Sequence, residues 1–128
     1  MRILLDTHAF LWMIFGDERL DESTRSLISH PENEILLSVV TLWEIAIKVS
    51  LGKLDLAIPF EKMMEELLNK YAVQVLPISF EALVTVSKLP FHHRDPFDRL
   101  LIAQAVMEDI PIISRDGAFS NYPVQIIW

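Results

Sequence analysis

Short apolar runs without alternation, the first two followed at once by residues where a helix can begin, constrain this chain more than any other feature. Ile3-Leu4-Leu5 stops at Asp6-Thr7, and Ile35-Leu36-Leu37 stops at Ser38. A strand with one wet face alternates apolar and polar residues, whereas an unbroken run fits a strand covered on both faces, as in parallel sheets. Val73 to Leu76, where Gln74 predicts partial exposure, Ile110-Pro111-Ile112-Ile113 and Val124 to Ile127 are further candidates, which gives four to five strands. Segments of helical period lie between them: Thr7 to about Phe15, Asp21 to Ser29, Ser38 to Leu51 with Gly52 as its stop, a helix opened by Pro59, Ser79 to Lys88, and about Pro96 to Glu108. Strands alternating with helices imply parallel pairing through right-handed crossovers. The predicted architecture is α/β, a three-layer α/β/α sandwich around a central, mainly parallel sheet, with residues 1–128 forming one domain.

Composition narrows the function. With no cysteine, the chain has no disulfide framework and no thiolate ligand or nucleophile, in keeping with a reducing cytosol. Three glycines argue against a glycine-rich phosphate cradle. No signal peptide or membrane-spanning run is legible, which predicts a soluble cytoplasmic protein without membrane contact. A net charge of −7 weakens the case for a broad basic docking face. It leaves room for an enzyme that reaches phosphates through bound metal, since two divalent cations among its acids would cancel more than half of that charge.

The most informative stretch is His93-Arg94-Asp95-Pro96-Phe97-Asp98-Arg99-Leu100-Leu101-Ile102-Ala103-Gln104-Ala105. Asp95 reads as an N-cap and Pro96 as the first helical residue, where no N–H is needed. Asp98 then falls at the third position, where a helix dipole favours a carboxylate and capping suffices to explain it. Glu44 and Lys48 make an ordinary i, i+4 ion pair. In a parallel α/β sheet, however, every helix begins at the edge where strands end. Asp6 after the first strand, Glu44 early in the helix after the second, Asp98 in the first turn of its helix and Asp116 after the fourth strand therefore share one edge, where such folds bind ligands. Carboxylates gathered there repel one another unless a hard cation neutralises them, and Mg²⁺ or Mn²⁺ takes oxygen ligands of this kind. Zinc is disfavoured because there is no thiolate and His8, His30, His92 and His93 lack i, i+4 pairing. His92 and His93 read as surface loop residues.

A site of four acids suits metal-assisted phosphodiester hydrolysis, with Glu44 orienting or deprotonating the water. His93, Arg94 and Arg99 are candidate phosphate contacts. Thr7, Ser38 and Ser114 can hydrogen-bond substrate, water or ligands, and each is equally explained as a cap or turn residue.

With these residues assembled, the chain resembles the PIN-domain nucleases, and among them the VapC toxins of bacterial type II toxin-antitoxin pairs. The matching features are Leu4-Leu5-Asp6-Thr7-His8, Ser38 through Trp43-Glu44-Ile45, the stretch from His93 to Ala105, and Ser114-Arg115-Asp116. The resemblance implies a magnesium-dependent ribonuclease acting on single-stranded RNA, a frequent homodimer, a cognate antitoxin that inserts a segment near the site, and no appended RNA-binding module. By position, Asp6, Glu44, Asp98 and Asp116 match the family's acidic quartet as metal ligands and catalytic residues, and Asp95 is a supporting acid.

Three other readings compete. A non-catalytic α/β interaction module explains Asp95, Asp98 and Glu44 one at a time as caps or an ion pair, but not why four acids converge on one edge. A haloacid-dehalogenase-like phosphohydrolase needs a second Asp two residues after the first, where this chain has His8. A receiver domain needs an acceptor Asp after a central strand, whereas Val73 to Leu76 runs into Pro77-Ile78-Ser79.

Overall fold

In the computed structural model, which describes residues 1–128, the first apolar run becomes the middle of the sheet. The strands are β1 (Arg2–Leu5), β2 (Glu34–Ser38), β3 (Gln74–Leu76), β4 (Ile112–Ile113) and β5 (Ile126–Ile127). Their order is β3-β2-β1-β4-β5, and every neighbouring pair is parallel. Leu4 lies level with Leu36 on one side and Ile112 on the other. All five are parallel, as the unbroken apolar runs require.

The helices are α1 (Thr7–Phe15), α2 (Glu22–Ser29), α3 (Val39–Ser50), α4 (Phe60–Lys70), α5 (Phe80–Lys88) and α6 (Pro96–Glu108). The period of two along β1 divides the core. Ile3 and Leu5 pack with Phe10, Met13, Ile28, Ile45 and Met64 from α1 to α4. Leu4 faces the other way, into a cluster with Ala82, Leu101, Ile102, Ala105 and Phe119 from α5, α6 and the turn beyond β4. Each fully buried leucine or isoleucine contributes about 2 kcal/mol, so both layers hold the sheet. Helix α6 is buried continuously from Arg99 to Ala105 and packs within the chain.

The apolar runs are longer than the strands they become. Pro111 has no N–H to donate, and the Ile110 N–H is spent on the Ala105 carbonyl at the end of α6, so pairing along β4 shrinks to Ile112 and Ile113. Edge strands β3 and β5 are similarly brief, which limits the open edge each presents.

The chain leaves β1 toward β2 and β3, then returns to the other side of β1 as β4. The order therefore reverses between β1 and β4, and the crevice outside their carboxyl ends is where such sheets take ligands. Asp6 and Ser114 are the first residues beyond those two strands.

Candidate active site

Asp6 caps α1, with its Oδ1 accepting the Ala9 N–H at 2.7 Å. Gly16, at φ 64°, closes the same helix in the left-handed conformation that a C-terminal cap requires. Asp6 is 4% exposed, and burial raises its pKa, opposed by hydrogen bonds from Ser114 and the Ala9 amide and aided by the nearby Asp116 charge. Ser114, itself buried, also accepts the Asp116 N–H at 3.0 Å. Thus one serine ties the acid after β1 to the acid after β4. Asp116 caps the 3₁₀ turn Gly117–Asn121 through Oδ1, leaving Oδ2 turned toward His93 at 3.8 Å.

At the start of α6, Asp95 Oδ1 accepts the N–H groups of Phe97 and Asp98 at 2.8 and 3.1 Å. The cap is fully supplied by Asp95. Asp98 forms no reciprocal capping contact: its Oδ2 lies 2.7 Å from His93 Nε2. Burial pushes the Asp98 pKa up to about 6, with the His93 hydrogen bond lowering it and the charges of Asp95 and Glu44 raising it further. A carboxylate held where ionisation is costly is ready for a cation. The candidate ligand atoms of His93, Asp98 and Asp116 all lie within 4.8 Å of one another.

Glu44 is 12% exposed at its side chain despite its Lys48 partner at 3.2 Å. Its other oxygen accepts the Thr7 hydroxyl at 2.7 Å. Thr7 thereby gives up its only proton, so the Thr41 hydroxyl, 3.2 Å away, donates to Thr7. The ion pair and the inward-facing acid are one arrangement: Lys48 approaches from outside while Thr7, beside Asp6, holds the inner oxygen.

The predicted quartet is drawn to one crevice in two degrees. Asp98 and Asp116 meet in the innermost cluster with His93, whereas Asp6 and Glu44 stand outside that trio, in electrostatic reach of Asp116 and Asp98 respectively. His93 departs from its expected place as a surface loop residue. Its ring packs edge-on to buried Phe119, and its loop is pinned from beneath. Tyr122 Oη accepts the His92 N–H and donates to the Pro90 carbonyl, while Arg99 donates to the carbonyls of Val86, Leu89 and Pro90.

Arg99 is therefore not a free phosphate contact. It is 6% exposed, and its guanidinium is committed to three carbonyls and the Tyr122 oxygen. Ser38 is fully buried, capping α3 at the Val40 N–H and bonding Gln104, whose amide donates to Pro77. These two expectations fail because their side chains satisfy groups inside the fold, where an unpaired partner is expensive. Thr7 and Ser114 likewise serve the acids rather than a ligand. Arg94 remains exposed and enters no salt bridge. Neither Tyr122 nor the Gln104 link carried a signal in spacing, since both act across long separations.

The sequence matches the family model described as PIN domain over residues 3–125. No curated protein matches it. Among solved structures, VapBC2 from Rickettsia felis bound to a promoter DNA fragment has a similar chain, with 15% identity, a TM-score of 0.76, and 99% of this chain and 98% of that one covered. FitAcB from Neisseria gonorrhoeae gives 21% identity and a TM-score of 0.70, covering 98% and 96%. A toxin-antitoxin complex from Klebsiella pneumoniae gives 17% and 0.67, also covering 98% and 96%. At these identities the likeness is one of fold.

Proposed function

Since the chain belongs to the PIN-domain family, we propose that residues 1–128 form a single Mg²⁺-dependent endoribonuclease domain, with Mn²⁺ as a substitute ion, that hydrolyses phosphodiester bonds of single-stranded RNA. The observation that carries this reading is the meeting of Asp98 and Asp116 with His93 at the sheet's switch point, with the buried Asp6 tied to Asp116 through Ser114. The donor set fits a hard divalent cation: it is mainly carboxylate, and two of its acids have pKa values raised by burial, a cost that a bound cation offsets.

Asp6, Glu44, Asp98 and Asp116 would hold the ion, directly or through water. When bound, it supplies charge neutralisation at the phosphate and lowers the pKa of water. His93 orients the Asp98 carboxylate through its Nε2 contact, and Glu44, steadied by Thr7 and Lys48, takes the proton of the attacking water as the new P–O bond forms. The leaving alkoxide takes a proton from solvent. Thr7 and Ser114 hold Glu44 and Asp6 in line, and Arg94 meets the substrate backbone.

One of the similar chains was solved in a toxin-antitoxin complex, which supports a toxin role for this chain with a cognate antitoxin as partner. A homodimer and a cytoplasmic location complete the reading. No helix is long and apolar enough to cross a membrane. The exposed apolar side chains Phe80, Leu83 and Val84 on α5 offer a face for the dimer. The test is cleavage of single-stranded RNA by the purified chain freed of any antitoxin, with Mg²⁺, with Mn²⁺ and with chelator. Metal-dependent cleavage that disappears in Asp6→Asn is expected. Cleavage unaffected by chelator or by that substitution would overturn the assignment.

A further inference from the structure

Beside the acidic crevice lies a groove of about 400 Å³, bounded by Trp43, Phe91, Arg94, Phe97 and Arg99, whose aromatic side chains no step above uses. Its volume is in the range of small-ligand sites, roughly 300 to 1,000 Å³. The groove and the acids are built from the same backbone: Trp43 precedes Glu44, Phe97 precedes Asp98 and Arg94 follows His93. The groove and the acids are therefore held by the same backbone segments.

Its aromatic surfaces are open and firmly held. Trp43 is 55% exposed and meets Phe97 edge-on at 5.0 Å between ring centres. Phe91 is 82% exposed, yet one face of its ring rests on the Arg99 guanidinium, 4.0 Å from the ring centre. Arg99 is fixed in turn by the carbonyls beneath it. A ring backed on one face by an immobile cation and open on the other is a platform for a second π-system. Arg94 adds an unpaired positive charge at the rim of a chain whose net charge is −7.

We propose that this groove is a base-binding subsite, in which a nucleobase flanking the cleaved phosphodiester of a single-stranded RNA stacks on Phe91 and Trp43 while Arg94 pairs with the adjoining phosphate. The groove offers a nucleotide both contacts it needs, the open aromatic faces of Phe91 and Trp43 for its base and the unpaired Arg94 at the rim for its phosphate. A nucleotide strand brings phosphates to the place where the acids would hold cations. The inference rests on the nuclease reading for its substrate, but not for its measurement.

The test uses Phe91→Ala, whose side chain lies outside the core, with Trp43→Ala as a second variant. Anisotropy of a labelled single-stranded RNA, measured in chelator, reads binding without cleavage. KM and kcat in Mg²⁺ are then measured on oligonucleotides carrying one abasic ribose at successive positions. About tenfold weaker RNA binding and about tenfold higher KM are expected for Phe91→Ala, with kcat within about twofold. The defect should vanish on the substrate whose abasic position faces the groove. If the parent binds RNA through Phe91 but cleaves nothing, the subsite stands and the nuclease reading falls. Unchanged binding and KM, with no abasic position that compensates, overturn the subsite. Loss of a dimer or of antitoxin binding with unchanged RNA binding assigns the groove to a protein interface, and overturns it too.

Discussion

Replacing Asp98 by asparagine should make the chelator-treated protein more stable while abolishing its use of metal. The Asp98 pKa is raised from 3.8 to about 6, first by burial and then by the Asp95 and Glu44 charges. A carboxyl whose folded pKa lies above its unfolded value contributes stability that is fully present below pH 3.8 and is lost as pH rises through about 6. At about pH 7.5 the charged form costs about 3 kcal/mol, and at about pH 4.5 about 1 kcal/mol. The side chain is 22% exposed, so water screening makes the first figure an upper bound. Asparagine keeps the shape and can still hydrogen-bond His93, but carries no charge.

Urea unfolding followed by circular dichroism, for parent and Asp98→Asn at both pH values in chelator, isolates this group as a difference. The variant should lead by about 2 to 3 kcal/mol at the higher pH, or about 10 °C in Tm, and by about 1 kcal/mol at the lower. Adding Mg²⁺ or Mn²⁺ should reverse the ranking, since ion at about one thousand times its Kd stabilises the parent by about 4.1 kcal/mol, more than the variant's lead, and leaves the variant unmoved. A variant less stable than the parent in chelator at the higher pH, or a lead that does not shrink with acid, would refute the view that Asp98 is held at a cost.

Other substitutions separate support from chemistry. Thr7→Val removes the hydroxyl that holds Glu44 at 2.7 Å while keeping the volume, and should lower kcat about tenfold with KM unchanged. Equal kcat would show that Glu44 needs no such hold. Arg99→Ala removes one donor each from the Val86, Leu89 and Pro90 carbonyls, leaves the Leu89 carbonyl without the guanidinium it faces, and should cost about 2 kcal/mol in urea unfolding. Unaltered stability with weakened RNA binding would return Arg99 to a phosphate role. Asp95→Ala, which uncaps α6, should cost about 1 kcal/mol by the same measurement, and a neutral result would mean that Pro96 alone starts the helix.

The unbroken runs at Ile3-Leu4-Leu5 and Ile35-Leu36-Leu37 told in advance that their strands would be covered on both faces, because a residue's apolarity and its neighbours' period are local properties. The caps at Ser38 and Asp95 were legible for the same reason: a cap acts within three residues. What spacing left open at Asp98 and Glu44, cap or ligand and ion pair or base, depended on where the second carboxylate oxygen points. That direction is set by groups distant in the chain: His93 on the loop pinned by Tyr122 turns Asp98 away from capping, and Thr7 draws Glu44 inward while Lys48 remains attached. The same long-range packing removed Arg99 and Ser38 from the ligand-facing set, because orphaned carbonyls and a buried amide claim them first. Strand, helix and cap follow from neighbours in sequence. The partner of a polar side chain inside a fold follows from the crossovers, which bring residues 30 to 70 positions apart within hydrogen-bond reach.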